Sequence, residues 1–131
     1  MATIKSYTDI EQSKKLAEIL PIESADYYHA TDAGVVVTTP YITYCGEERC
    51  VPAYKGAVPC WSLAALLNIL PKKYYPIKDH ETNLILGKPK DKWCVLYWDV
   101  TGMQDGEQTL EDNPIDACYE LILKLSALQL L

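Results

Sequence analysis

Phenylalanine is absent from this 131-residue chain, although it carries ten tyrosines and three tryptophans. Every aromatic ring in it therefore brings a polar atom that needs a partner on burial, which suits half-buried positions and wet interfaces. Glycine is scarce as well: six residues, scattered, form no loop able to cradle a phosphate. Histidine is limited to His29 and His80, so few imidazoles are available as bases or metal ligands. Long hydrophobic runs are missing. The longest, Val58 to Leu70, is interrupted by Pro59, Ser62 and Asn68 and falls short of the ~20 apolar residues of a helical membrane span.

Positive charge is also in deficit, with 12 basic against 18 acidic residues and a net charge of −6. Residues 60–98 carry six lysines against Asp79, Glu81 and Asp91, while residues 99–131 carry seven acids against Lys124 alone. The only basic scatter, Lys72 to Lys92, is interrupted by acids, which weighs against nucleic acid as a partner. The reverse role, an acidic imitation of a duplex, needs one charge per ~1.7 Å, far denser than this chain provides. The cysteines, Cys45, Cys50, Cys60, Cys94 and Cys118, are odd in number and irregular in spacing, and residues 1–15 hold no apolar secretory core. Reduced thiols and a cytoplasmic location are the expectation.

What the chain does have is enough for one α+β domain spanning 1–131, in the order α-β-β-α-β-β-α, with a small antiparallel sheet and three helices. Thr8-Asp9-Ile10-Glu11 has the form of a capping box, and Ile10, Leu16, Ala17, Ile19 and Leu20 mark one helical face up to Pro21. From Asp26 to Tyr54 the character turns to short strands: Tyr27–His29, then Val35–Thr39 after a turn at Thr31–Gly34, then Tyr41–Tyr44. Gly46–Arg49 reads as a polar turn before Cys50-Val51. Ser62 is placed to cap a short apolar helix, Leu63–Leu70, closed by Pro71 and sunk against the sheet.

Two further strands, Asn83–Gly87 and Lys92–Val100, flank a turn at Lys88–Asp91, and the second is apolar on both faces, as a central strand would be. Asp105-Gly106 reads as a turn. Asn113 as cap, Pro114 at the first helical position and Asp116 in the first turn open a last helix, whose face is Ile115, Cys118, Leu121, Ile122, Leu125 and Leu128.

The phrases Tyr7–Pro21, Pro59–Leu67 and Asp112–Glu120, at both ends and at the middle helix, resemble a family of short uncharacterised proteins of gut Bacteroidetes genomes, their prophages and other mobile elements. The resemblance implies an accessory protein of a phage or mobile element and assigns no catalytic residue. Its phrases coincide with the helix caps and apolar faces above.

Candidate chemistry is sparse. Cys45, Cys50, Cys60 and His80 offer zinc-type ligands, but structural zinc uses ligand pairs two to four residues apart, and only one such pair occurs here. Cys60, just ahead of a helix start, is the best-placed nucleophile, with His29 or His80 as base. Asp99, Asp105, Glu107, Glu111, Asp112 and Asp116 do not match a calcium loop, and three of them suit a helix N-terminus. Trp61 reads as a core anchor. Tyr74 and Tyr75, between Lys72-Lys73 and Pro76, are the candidate protein-binding residues. The expectation is a non-enzymatic interaction protein that needs no cofactor, binds a protein partner or itself, and does not associate with membrane. A small cysteine-dependent enzyme or metal-binding protein is the alternative.

Overall fold

A computed structural model describes residues 5–29, 36–38, 41–42, 48–49, 58–71, 82–89, 91–99 and 104–131. Helices and strands alternate in α+β fashion, with helix α1 (Ile10–Ile19) first, helix α2 (Leu63–Ile69) in the middle and helix α3 (Pro114–Ala127) last. All strand pairs are antiparallel. Contacts divide the chain into two compact units, Ser6–Ala65 and Leu66–Leu131 with Met1–Lys5.

In the first unit, Asp9 rather than Thr8 caps α1. Its carboxylate accepts from the Gln12 N–H at 2.8 Å, and the Gln12 side chain accepts from the Asp9 N–H at 3.1 Å, so the capping box lies one residue later than the sequence suggests. Thr8 is freed for the core, where it is fully buried. The buried helix face is correspondingly Ser13 and Leu16, continued by the C-cap Leu20, while Ala17 and Ile19 are exposed. Proline at 21 ends the helix because it has no N–H to continue the ladder and disfavours helical geometry before it.

Strands β1 (Tyr27–His29), β2 (Val36–Thr38) and β5 (Val58–Cys60) form a sheet in the order β2-β1-β5. Strand β5 is absent from the sequence expectation. Pro59 and the brevity of the run hide it, yet its position at a sheet edge is where proline is tolerated. Strands β3 (Tyr41–Ile42) and β4 (Glu48–Arg49) pair with each other, so Glu48 and Arg49 belong to a strand and not to the polar turn expected there. Tyr7 rests its ring edge-on against Tyr27, with centroids 4.6 Å apart.

Helix α2 is capped as anticipated, with the Ser62 hydroxyl accepting from the Ala65 N–H at 3.3 Å. It is less sunken than its composition implies: Leu66 is fully buried, but Ala64 and Asn68 are exposed.

The second unit is a sheet with one helix laid on it. Strands β6 (Thr82–Gly87), β7 (Trp93–Asp99) and β8 (Gln104–Glu111) run in the order β6-β7-β8, so β7 is central as its two-faced apolar pattern requires. The expected turn at Asp105-Gly106 lies inside β8. Leu96 pairs with Gln108 and Tyr97 with Asp105, so Gly106-Glu107 is extra chain at an irregularity of the ladder. A glycine next to acids is as much a bulge signal as a turn signal.

Helix α3 packs on β7 and β8 with Ile115, Cys118, Leu121, Ile122 and Leu125 fully buried. Asn113 caps it, accepting from the Asp116 N–H at 3.1 Å. Leu128 falls beyond the helix and is half exposed, so the apolar face ends a turn earlier than the sequence pattern does.

Candidate functional site

The enzyme alternative depends on Cys60 and His29, which lie in the first unit. The register pairs Tyr27 with Cys60 and His29 with Val58, so the two side chains share one face of the β1–β5 pair without standing opposite each other. They share no hydrogen bond among the described contacts. His29 Nε2 instead donates to the Thr8 carbonyl at 2.9 Å. A carbonyl only accepts, so Nε2 is the donor, and Nδ1 is buried without a partner. His29 also lines an open groove of about 420 Å³ with Asp9, Ile10 and Glu11.

Cys60 is no better prepared. Burial, with the negative charge of Asp26 added, pushes its thiol up to about 12, so it is a neutral thiol near pH 7. The depression expected from a helix start does not occur. Asp26 is already engaged in holding α2: its carboxylate accepts from the Ser62 N–H at 2.9 Å and from the Ser62 hydroxyl. Around these groups the polar atoms bond to one another. Ser13 meets Thr8 at 2.7 Å through their hydroxyls, and Trp61 Nε1 donates to Ser24 at 2.9 Å. These bonds tie α1, β1 and the start of α2 together within the first unit.

Of the other candidates, Cys45, Cys50, His80, Tyr74 and Tyr75 lie outside the described residues. Among the described residues, no three His, Cys, Asp or Glu side chains group as metal ligands. The acids at the start of α3 are individually bonded, Asp116 to Lys5 at 2.9 Å and Asp112 to Lys92. Glu111 is crowded instead: partial burial, then Glu120, Asp116 and Asp112, hold its carboxyl above the usual range, with Lys92 opposing. Trp61 is fully buried and is the core anchor its position suggested.

The second unit presents a surface that sequence reasoning missed. Because side chains alternate across a sheet, the register assigns Leu86, Val95, Thr109 and Tyr97 to the face under α3. Thr109 confirms it by donating from its hydroxyl to the Ala117 carbonyl at 2.7 Å. The opposite face carries Ile85 beside Leu96, and Gly87, Cys94 and Leu110 in a row. There Ile85 is 39% exposed and Leu110 52% exposed. Ile85, Gly87, Pro89, Cys94 and Leu96 line a shallow groove of about 310 Å³, to which Gly87 contributes no side chain. The signal was available in Leu84-Ile85-Leu86 and in Leu110, but a three-residue apolar run does not say which of its members lies uncovered.

No helix among the described residues is long and apolar enough to cross a membrane. Comparison with protein-family models, with curated proteins and with solved structures found no match.

Proposed function

We propose that this chain is a non-enzymatic accessory protein, of a phage or mobile element as its sequence resemblance implies, which works by binding another protein. The observation that carries the reading is the apolar outer face of the β6-β7-β8 sheet, with Ile85 and Leu110 exposed beside a groove that has apolar walls. Exposed apolar side chains beside a groove with apolar walls are a feature of binding sites. The high-pKa thiol of Cys60, which makes no hydrogen bond to His29 among the described contacts, gives nothing in support of cysteine catalysis.

Leu110→Lys is the test. The side chain is exposed, so folding stability should change by no more than about 0.5 kcal/mol. A protein that co-purifies in fixed stoichiometry with the wild type should be lost. Retention of that partner by a folded Leu110→Lys variant would remove the face from consideration. The double variant Tyr74→Ser/Tyr75→Ser, run alongside, tests the surface suggested by sequence.

A further inference from the structure

Among the described residues, a single buried side-chain nitrogen or oxygen lacks a hydrogen-bond partner, and it is His29 Nδ1. Folded proteins leave few such atoms, and each exception calls for a reason. His29 is only 9% exposed, yet it lines the open groove of about 420 Å³ with Asp9, Ile10 and Glu11. All four residues belong to the first unit: three are the cap and first turn of α1, and the fourth ends β1.

The charges of the groove select its occupant. A helix start ordinarily attracts anions. Here the Asp9 carboxylate already takes the cap position, and Glu11 adds a second negative charge in the first turn, so an anion is repelled. Glu11 is exposed and makes no salt bridge among the described residues. His29 points the same way. Its Nε2 donates to the Thr8 carbonyl, which in the neutral ring leaves Nδ1 as an acceptor. Two carboxylates and a ring nitrogen therefore all accept, and the matching ligand is a cation rich in donors. A metal ion does not fit, because no three His, Cys, Asp or Glu side chains among the described residues group closely enough to share one. A guanidinium does. It spreads its N–H donors over a planar fork, has no acceptor, and reaches groups that one ion cannot bridge.

We propose that this groove binds a guanidinium group, with the Asp9 and Glu11 carboxylates and His29 Nδ1 as its acceptors and Ile10 against its alkyl stem. A carboxylate has lone pairs to spare beyond the one that Asp9 gives to the Gln12 N–H, so capping and binding are compatible. The site lies wholly in the first unit and does not depend on the outer face of the second sheet. Either reading can fail without the other.

Nitrogen NMR of the full chain carrying isotope-labelled histidine tests this, with butylguanidinium as the probe. The chain has only two histidines, which His80→Gln tells apart. The His29 Nδ1 resonance of the wild type should move saturably toward the hydrogen-bonded range, at probe concentrations well below those that denature. Glu11→Gln, a change at an exposed position, should fold as the wild type does and bind on the order of tenfold more weakly, because a charge-assisted contact is lost. Butylammonium, a point charge on the same stem, should also bind more weakly than butylguanidinium. A blocked Gly-Arg-Gly peptide separates two sources of the same group. Tighter binding than butylguanidinium assigns it to an arginine of a polypeptide, and binding no tighter assigns it to a free guanidino compound. An Nδ1 resonance unmoved by the probe, equal affinity in Glu11→Gln, equal affinity for butylammonium, or a response to sodium sulfate in place of the probe would each overturn the proposal.

Discussion

Thr8 and Trp61 are bonded in both directions: the Thr8 N–H donates to the Trp61 carbonyl at 3.0 Å, and the Trp61 N–H donates to the Thr8 hydroxyl at 3.1 Å. The pair joins the entry of α1 to the end of β5. The same threonine supplies its carbonyl to His29 and its hydroxyl to Ser13, so one buried residue satisfies three others.

Thr8→Val keeps the shape and deletes the hydroxyl, stranding the buried Trp61 N–H. We expect a loss of about 1–3 kcal/mol, the cost of an unsatisfied buried donor. Thr8→Ser should recover much of it. Urea denaturation with an unchanged slope and a lowered midpoint is the measurement.

Asn113→Ala removes the side-chain acceptor from the first turn of α3 and should cost about 1 kcal/mol. The helix packs on β7 and β8, so the loss should appear in the cooperative transition. An unmoved midpoint would show that Asn113 contributes nothing as a cap.

Glu111 gives a pH dependence of defined sign. Its folded pKa is raised by partial burial first and then by the neighbouring carboxylates. The folded state therefore holds the proton more tightly than the unfolded one, and stability falls as pH rises from the unfolded carboxylate range through the folded pKa. Glu111→Gln should be more stable than wild type at neutral pH, with the advantage vanishing as pH falls below that window. Asp112 acts oppositely. Hydrogen bonding and attraction from Lys92 lower its pKa, so its contribution is present above the unfolded value and lost on acidification.

Cys60 and Cys118 are both pushed up to about 12, Cys60 by burial and Asp26, Cys118 by burial alone. Neither should react with iodoacetamide near neutral pH in the folded protein, and both should react promptly in denaturant. Mass spectrometry of the alkylated native protein decides this. Rapid native labelling of Cys60 would reopen the nucleophile hypothesis.

Local chemistry was legible from residues alone. Asn113-Pro114 announced α3, Ser62 announced α2, and Pro21 stopped α1, because caps and prolines act on neighbouring backbone and need no distant partner. The two-faced apolar pattern of residues 93–98 placed β7 at the centre of a sheet. Where a longer-range partner decides, the pattern misled. Thr8 looks like a cap in sequence, but Trp61 claims its hydroxyl and Asp9 takes over the cap. Cys60 looks activated by a helix start, but enclosure by the sheet and by Asp26 suppresses its ionisation. Val58–Cys60 becomes a strand only because β1 lies alongside, and Gly106 becomes a bulge only because β7 continues past it. The apolar outer face depends on the same kind of fact. Composition supplied Ile85 and Leu110, but which side of the sheet α3 covers is a matter of packing, and on the other side these two are exposed while Cys94 between the outer strands is buried.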